Sequence, residues 1–158
     1  MPLYLIRHAK AGKRSSWIGD DTERPLDAAG LLQAEALARQ LAPISPSALL
    51  SSPYERCRQT LGPLAAVTGL PVADEHRIAE DSPLERSLAA LEDAPENAVL
   101  CSHGDVIPDV INGLLRRGME MADRVQGVKK GAMFVLHREG GSFVRAEYRD
   151  APRIDDAI

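Results

Sequence analysis

The chain has 158 residues, 44% of them hydrophobic and 27% charged, and its formal net charge at pH 7 is -4. This length and apolar content predict one globular domain over residues 1–158 with no need of a disulfide framework, and two cysteines are too few to build one. The chain is acidic and has no basic tail, which excludes a nucleic-acid-binding arm. No apolar run reaches the roughly 18 residues of a membrane span, and no signal-peptide pattern precedes the first strand. We therefore expect a cytoplasmic protein.

The first apolar run, residues 3–6, ends in an arginine and a histidine side by side. The run is too short for a helix and rich in strand-forming residues, so we predict a buried strand with Arg7 and His8 at its carboxyl tip. In open α/β sheets, ligands bind at that edge. These two side chains are therefore the first candidates for a functional site.

A polar stretch follows the first strand, and we predict that it is a loop over the strand tip. It carries three more cations, Lys10, Lys13 and Arg14. A local cationic pocket on an acidic protein favours a small anionic substrate. The same loop holds Trp17, which either stacks on a nucleobase as a lid or packs on the rim as an anchor.

The remaining segments alternate between helices and strands. In chain order we predict a helix ending at Pro43, a strand at 48–51, a helix ending at Gly69, a strand at 71–74, a helix with Leu84, Leu88 and Leu91 on one face, the most clearly buried strand at 98–102, and a helix ending at Gly118. Such alternation predicts an α/β fold of three layers, with a mostly parallel central sheet flanked by helices.

The C-terminal part of the chain has a different pattern. Residues 119–131 are predicted to be irregular, with Lys129 and Lys130 either at the pocket mouth or solvated. Two strands at 132–137 and 143–148 flank a glycine pair, which predicts a β-hairpin. The charged tail from Asp150 is expected to fray.

Two serine-led sequences resemble capping boxes and predict where two helices begin. Residues 52–55, Ser-Pro-Tyr-Glu, directly follow the second strand, and residues 82–85, Ser-Pro-Leu-Glu, precede a helix. The first box places Arg56 in the first helical turn, near the same sheet edge as His8. Arg56 is therefore a third candidate for the site.

Four motifs, in this order, resemble those of the histidine phosphatase superfamily. They are Arg7-His8-Ala9, with alanine where the family has glycine; Arg24-Pro25-Leu26 followed by Gly30; residues 52–56 followed by Gln59-Thr60; and Ser102-His103-Gly104. The alanine variant is similar to the SixA-type branch. The resemblance implies a phosphoglycerate mutase-like fold, a phosphatase activity and a phosphohistidine intermediate on His8.

The resemblance also implies roles for other side chains. Arg7, Arg56 and His103 would bind the phosphate beside His8, and His103 lies at a helix N-terminus, which favours an anion. Glu80 is either the general acid of mutase-like members or a solvated loop carboxylate. The further residues expected to bind substrate are Lys10, Lys13, Arg14, Arg24, Ser102 and Gly104. For Arg24 the alternative is a surface ion pair with Asp20 or Asp21.

These residue types suit phosphoryl transfer. A neutral imidazole at His8 can attack phosphorus in line if its other ring nitrogen donates to an acceptor such as a backbone carbonyl. Arg7, Arg56 and protonated His103 would meet the charge on the phosphoryl oxygens, so we expect neither a metal nor another cofactor. A site without a committed acid favours phosphorus–nitrogen or phosphoanhydride substrates, whose leaving groups depart readily.

Two subgroups of the superfamily resemble this chain best: the SixA-type phosphohistidine phosphatases and the phosphatase domain fused to Nudix domains in MutT-type nucleotide sanitisers. We predict a phosphohistidine phosphatase, with a nucleotide phosphatase as the alternative and a non-catalytic phosphate-binding module as the alternative of another class. Residues 7–14, followed by Trp17, are especially similar to the second subgroup. The expected partner is a phosphorylated small molecule or a phosphohistidine protein, without nucleic acid polymer or membrane.

The two cysteines argue against a cysteine phosphatase. Such an enzyme needs an arginine six residues after its cysteine, but Pro63 follows Cys57 at that spacing and Ile107 follows Cys101. We predict that both cysteines are small buried hydrophobic residues.

Overall fold

The computed structural model describes residues 1–123, 125 and 127–154. Its strands are β1 (Leu3–Arg7), β2 (Leu49–Ser51), β3 (Val72–Asp74), β4 (Val99–Ser102), β5 (Glu120–Met121), β6 (Met133–Glu139) and β7 (Ser142–Arg149). Its α-helices are α1 (Ala28–Leu41), α2 (Glu55–Thr68), α3 (Leu84–Asp93) and α4 (Val106–Arg116). Within the described ranges, no helix has the length and apolar content needed to cross a membrane.

All seven strands belong to one sheet, in the order β3-β2-β4-β1-β6-β7-β5. Strands β3, β2, β4 and β1 are parallel neighbours, and β5 is parallel to β7. Strand β6 is antiparallel to both of its neighbours, β1 and β7, so it alone runs against the other six. The prediction of a mostly parallel sheet is confirmed.

Helices cover both faces of the sheet because side chains alternate along each strand. In β1, Leu3 and Leu5 pack in a cluster with apolar residues of α3 and α4. Tyr4 and Ile6 point to the opposite face and pack with residues of α1 and α2. The predicted three-layer arrangement is confirmed, with one hydrophobic cluster on each side of the sheet.

The start of helix α1 lies directly against the loop that follows β1. The Asp27 side chain caps the helix by accepting a hydrogen bond from the Gly30 backbone N–H at 2.8 Å. A Cβ atom at Gly30 would lie 1.8 Å from the Lys10 carbonyl oxygen, so no side chain fits there. Glycine at this position brings the helix against the loop backbone beside His8.

The predicted start of α2 is wrong by two residues and that of α3 by one. The N-caps are Tyr54 and Pro83, and neither makes a side-chain capping bond. The two serines have other partners: Ser82 donates to the Arg77 carbonyl oxygen at 2.6 Å, and the Ser52 hydroxyl contacts a histidine described below. The two hydroxyl groups that were expected to cap the helices therefore bond to groups outside those helices.

The C-terminal region contains one strand that the sequence did not indicate. Strand β5, inside the segment predicted to be irregular, pairs with β7. The predicted hairpin is confirmed, and Gly140 and Gly141 form its turn with φ of 57° and 82°. The prediction that the tail frays concerns residues 155–158 in part, and these lie outside the described residues. Arg124 and Gln126, in the segment before β6, also lie outside them. Cys57 and Cys101 are buried and free, as predicted.

Candidate active site

The carboxyl ends of β1, β2 and β4 lie side by side, and each leads into a predicted site residue. Arg7 ends β1 and pairs with Ser102 at the end of β4. His8 and His103 directly follow these two strands, and Arg56 lies in the first turn of α2, which follows β2. The parallel topology therefore brings together four side chains from three segments that are far apart in the sequence.

His8 is held as a neutral imidazole. Its Nδ1 lies 2.8 Å from the Ala9 carbonyl oxygen, which requires the proton on Nδ1 and leaves Nε2 unprotonated. Burial, together with the positive charges of His103, Arg56 and Arg7, lowers the pKa of His8 to about 3, although the bond to Ala9 acts in the opposite direction. His8 lines the cavity described below, so it can act as a nucleophile there.

The backbone around His8 is fixed by the third motif. The Ala9 backbone N–H donates to the Thr60 hydroxyl at 2.9 Å, and that hydroxyl donates to the Arg56 carbonyl oxygen at 2.7 Å. The Gln59 side chain accepts from the Leu26 backbone N–H at 2.8 Å. Gln59 and Thr60 thus join α2 to both ends of the segment between β1 and α1, which accounts for their place in the motif.

His103 packs between His8 and Tyr54. Its ring centroid lies 5.5 Å from that of His8 and 4.7 Å from that of Tyr54, both edge to face. Its Nε2 lies 2.7 Å from the Ser52 hydroxyl and 3.6 Å from the Cys57 sulfur. The Ser52 hydroxyl therefore orients the second histidine of the site instead of capping α2.

Arg7 packs against Gly104. A Cβ atom at Gly104 would lie 2.6 Å from the Arg7 Cζ, so only glycine leaves room for the guanidinium group. One terminal nitrogen of Arg7 donates to the Val128 carbonyl oxygen at 2.7 Å. Gly104 was expected to bind substrate, and in the structure it lines the cavity described below and gives the Arg7 guanidinium group room to pack.

Arg56 is 1% exposed and is bound by two carboxylates. Its Nη1 donates to the Asp21 carbonyl oxygen at 2.9 Å, and its Nη2 lies 3.2 Å from Asp21 Oδ2 and 3.5 Å from Glu80 Oε1. The guanidinium carbon lies 4.8 Å from the centroid of the Tyr54 ring. These contacts hold the arginine in one position at the sheet edge.

Three buried nitrogens of the site have no hydrogen-bond partner among the described residues: Arg7 Nε, Arg56 Nε and His103 Nδ1. Leaving a buried donor unsatisfied costs about 1–3 kcal/mol, so such groups are rare in structural cores. Their concentration around His8 is typical of a site that binds an anion.

A cavity of about 660 Å³ opens beside His8. Its lining comprises Arg7, His8, Lys10, Ala11, Gly12, Lys13, Arg14, Arg24, Asp27, Arg56, Glu80, Gly104, Asp105 and Lys130. Seven of these side chains are Lys or Arg and three are Asp or Glu. The positive excess lies on a protein whose net charge is negative, which agrees with the local cationic pocket expected from the sequence.

The structure corrects the expectation for Ser102, which does not line this cavity. Its side chain is fully buried, and its hydroxyl donates to the Ile78 carbonyl oxygen at 2.6 Å. Its own carbonyl oxygen accepts the His8 backbone N–H at 3.0 Å. Because the hydroxyl is already bonded inside the core, Ser102 positions His8 and does not face a substrate.

Arg24 and Asp21 support the loop after β1. Arg24 is buried and donates to Asp21 Oδ1 at 2.8 Å and to the Gly12 carbonyl oxygen. The Asp21 carboxylate also contacts Arg56 at 3.2 Å and Arg14 at 3.5 Å. Partial burial raises the pKa of Asp21, but the three guanidinium groups outweigh it and hold that pKa below its ordinary value. The sequence indicated Asp21 only as a surface partner for Arg24.

Glu80 and Trp17 occupy the rim. Glu80 Oε1 accepts a hydrogen bond from Arg14 Nη2 at 2.9 Å and forms an ion pair with Arg56 Nη2 at 3.5 Å, so two cations neutralise it in this structure. Trp17 donates its indole N–H to the Asp20 carbonyl oxygen at 2.9 Å and borders a smaller cavity of about 150 Å³. The bond within its own loop supports the anchor interpretation, and the ring remains 36% exposed.

Lys130 was left open by the sequence, and it lines the main cavity whereas Lys129 does not. Burial and the neighbouring charges of Arg7, Arg24 and Lys10 lower the pKa of Lys130. The sequence did contain an indication for Lys130, because a lysine directly before a glycine at the start of a strand can lie at the edge of a sheet. The sequence did not show that this strand begins at the edge where Arg7 and His8 lie.

Comparison with known proteins agrees with this geometry. The model of the family described as the histidine phosphatase superfamily (branch 1) matches residues 3–83. An 8-oxo-(d)GTP phosphatase of Mycolicibacterium smegmatis is 36% identical over 156 residues, which are 95% of this chain and 48% of that protein. The 55 kDa subunit of transcription factor tau of Saccharomyces cerevisiae is 34% identical over 90 residues, 49% of this chain and 20% of that protein. The chain thus spans half or less of these curated relatives.

Solved structures share the fold. The protein histidine phosphatase SixA complexed with tungstate has a TM-score of 0.72 and 18% identity, covering 94% of each chain. A mycobacterial glucosyl-3-phosphoglycerate phosphatase complexed with VO3 has a TM-score of 0.72 and 17% identity, covering 96% of this chain and 99% of the other. The expected phosphoglycerate mutase-like architecture is confirmed by these similarities.

Proposed function

The chain belongs to branch 1 of the histidine phosphatase superfamily, and from that premise we propose that it hydrolyses nucleoside di- or polyphosphates through a phosphohistidine formed on His8. The observation that carries the proposal is the cavity of about 660 Å³ beside His8, with seven cationic side chains in its lining. Cavities of roughly 300–1,000 Å³ suit small molecules, and this one has both room and charge beyond the needs of a single phosphoryl group.

The relatives support the same substrate class. The 8-oxo-(d)GTP phosphatase of Mycolicibacterium smegmatis shares 36% identity over nearly the whole of this chain. The likeness to SixA, at 18% identity, concerns the fold. The similarity of residues 7–14 and Trp17 to the nucleotide sanitisers points in the same direction as the curated relative.

The reaction has two steps. Unprotonated Nε2 of His8 attacks the terminal phosphorus in line, the bond from phosphorus to the bridging oxygen breaks, and that oxygen keeps the electron pair. Arg7, Arg56 and His103 stabilise the charge on the equatorial oxygens. Water then attacks the phosphohistidine, the phosphorus–nitrogen bond breaks, and phosphate leaves with the oxygen of that water.

The partners of Glu80 bear on the leaving group. Glu80 accepts from Arg14 at 2.9 Å and lies 3.5 Å from Arg56, so its contacts in this structure are those of an acceptor. A phosphoanhydride or phosphorus–nitrogen bond breaks without a strong acid, whereas an alkoxide leaving group needs a proton. The arrangement therefore favours the first two classes over sugar phosphates, and it keeps a phosphohistidine protein as a second candidate substrate.

The mechanism is tested by replacing the nucleophile. We expect His8→Ala to abolish turnover and the acid-labile label from a ³²P-labelled substrate, while circular dichroism and Tm stay close to the wild-type values. His76→Ala is the matched control, since His76 is exposed and lies outside the cavity lining. Undiminished turnover in His8→Ala would overturn the mechanism.

The substrate class is tested with the wild-type protein in the presence of a chelator. A nucleoside diphosphate, a phosphohistidine protein and a sugar phosphate are compared by kcat/KM. We expect the nucleoside diphosphate to be hydrolysed best and the sugar phosphate worst. A preference for the phosphohistidine protein would replace the first candidate by the second.

A further inference from the structure

We propose that Lys10, Lys13 and Lys130 form a second anion subsite, which binds the leaving phosphate of a diphosphate substrate while the terminal phosphoryl group lies against His8. The inference rests on the proposed function and names the part of the cavity that recognises the second phosphate. It assigns a role to Lys130, the cavity lysine contributed by the segment before β6.

The three lysines differ from three of the four arginines that line the same cavity. Arg14, Arg24 and Arg56 each form an ion pair with Asp21 or Glu80. All three lysines line the cavity, and in the part of the chain that the structure describes none of them has an ion-pair partner within 4.0 Å. Apart from Arg7, which lies beside His8, they are the cations of this lining without an ion pair among the described residues.

Lys130 is fastened to the catalytic strand by its neighbours in sequence. Arg7 donates to the Val128 carbonyl oxygen at 2.7 Å. The Gly131 backbone N–H is shared between the carbonyl oxygens of Arg7 and His8, at 3.1 Å each. Because the residues on both sides of Lys130 are bonded to Arg7 or His8, its position relative to the nucleophile is set by the backbone.

A glutamine of α1 links two of the lysines. The Gln33 Oε1 accepts from the Lys10 backbone N–H at 2.9 Å, and its Nε2 donates to the Lys130 carbonyl oxygen at 3.5 Å. One side chain therefore holds the loop after β1 and the segment before β6 together. Lys10 and Lys130 consequently lie on the same side of the cavity mouth.

The three carboxylates of the cavity are engaged elsewhere. Asp27 accepts from the Gly30 N–H at the start of α1, Asp105 accepts from the Asp81 N–H at 2.8 Å, and Glu80 binds Arg14. Partial burial and the charges of Arg7, Arg24 and Lys10 lower the pKa of Lys130, although Asp27 acts in the opposite direction. Because none of the three carboxylates forms an ion pair with these lysines, the positive charge of the cluster is left for an incoming anion to neutralise.

A second phosphate at these lysines would also assist the chemistry. When Nε2 of His8 takes the terminal phosphoryl group, the electron pair of the broken bond stays on the bridging oxygen, and the charge on the leaving phosphate rises. Ammonium groups beside that phosphate stabilise the charge without donating a proton. The subsite thus explains how a site whose glutamate binds two arginines can release its leaving group.

The test measures binding of methylenediphosphonate, a pyrophosphate analogue whose P–C–P bridge is not hydrolysed, and of orthophosphate by isothermal titration calorimetry with the whole chain. We expect methylenediphosphonate to bind at least about tenfold more tightly than orthophosphate, since it can occupy both subsites. Lys130→Gln should reduce this ratio about fivefold or more, and Lys130→Arg should retain most of it. Lys129→Gln is the matched control and should leave the ratio unchanged, because Lys129 lies outside this cavity.

Each outcome decides the matter. The proposal of a second subsite would be wrong if the two ligands bound the wild-type protein with nearly equal affinity, or if Lys130→Gln and Lys129→Gln had the same affinity ratio. This holds even if nucleoside diphosphates are hydrolysed. A ratio that depends on Lys130, in a protein that hydrolyses no diphosphate, would keep the subsite and overturn the proposed function. Thermal unfolding shows whether the three variants are folded. We expect all three to fold, because Lys129 and Lys130 are both exposed.

Discussion

His8 combines two properties that a nucleophilic histidine needs, a buried ring and a fixed tautomer. Burial keeps the ring neutral, and the Ala9 carbonyl oxygen holds the proton on Nδ1. The same burial makes a charged imidazole costly, so the proposed nucleophile also ties the stability of the fold to pH.

The sign of that dependence follows from the pKa values of the folded and unfolded chain. His8 has its ordinary pKa of 6.5 when unfolded and a pKa of about 3 when folded. Between these values the unfolded chain binds a proton that the native chain does not. The contribution of His8 to stability is therefore complete above pH 6.5 and is lost as the pH falls toward 3, by at most about 1.4 kcal/mol per pH unit.

We expect the unfolding free energy of the wild-type protein to fall more steeply between pH 6.5 and 4.5 than that of His8→Asn. Asparagine can still donate to the Ala9 carbonyl oxygen but does not titrate. Urea denaturation at several pH values measures both slopes, with the exposed His76→Asn variant as the control that should follow the wild-type slope. Parallel curves for wild type and His8→Asn would contradict the assignment of a depressed pKa to His8.

At the scale of single residues, sequence reasoning found the side chains that directly follow buried strands. Arg7, His8 and His103 each stand at the end of an apolar run, which locates them at the sheet edge. Asp21 and Lys130 could not be assigned in the same way, because each reaches the site from a loop whose path depends on contacts made elsewhere. Tertiary partners decided their positions, and local sequence does not record such partners.

Helix α1 illustrates how an element depends on one close approach. Gly30 lies where a Cβ atom would be 1.8 Å from the Lys10 carbonyl oxygen. Gly62 also lies inside a helix, α2, but a Cβ atom there would meet no heavy atom within 4 Å apart from its chain neighbours and the nearby backbone of its own helix. The two glycines can therefore be compared as helical glycines with and without a contact from another part of the chain.

We expect Gly30→Ala to lower the unfolding free energy by about 1–3 kcal/mol, because α1 or the loop at Lys10 must shift. Gly62→Ala should change it by less than about 1 kcal/mol, since alanine favours the helix but a Cβ directly before Pro63 opposes the helical conformation. Urea denaturation measures both changes. Equal effects of the two substitutions would show that the contact with Lys10 does not constrain the helix.

The sequence-based errors in the helix starts and in strand β5 have physical causes. Serine at residues 52 and 82 fitted a capping pattern, but each hydroxyl found a buried partner, the His103 ring in one case and the Arg77 carbonyl oxygen in the other. Strand β5 has two residues, too few for any periodicity, and exists through its pairing with β7. The longer elements, with repeated apolar positions, followed from the sequence because one buried face is enough to specify them.

The whole molecule carries a net charge of -4, yet the cavity lining holds seven cationic and three acidic side chains. The attraction of an anionic substrate is therefore local, since the protein as a whole repels it. Interactions over such distances are screened by salt, with a Debye length of about 10 Å at 0.1 M. We therefore expect association with an anionic substrate to weaken as the ionic strength rises, as it would for a positively charged protein.

We expect kcat/KM for a nucleoside diphosphate to fall as NaCl rises from about 0.05 to about 0.5 M, with little change in kcat, because screening weakens association more than the buried chemistry. Steady-state kinetics measure both parameters. The Lys130→Gln variant should show a shallower dependence. A kcat/KM that rises with salt would mean that the overall negative charge dominates the approach of the substrate.

One reversed strand gives this fold an adaptable position. Because β6 runs against β1, with Met133 paired to Ile6, its first residues lie at the edge where the parallel strands end. The segment that brings Lys130 there enters the sheet, whereas the segments after β1, β2 and β4 leave it for a helix. Its length and sequence can therefore diverge without disturbing a strand-to-helix crossing. Exchange of this segment between homologues offers natural or laboratory evolution a route to new substrate preferences with the nucleophile and its arginines unchanged.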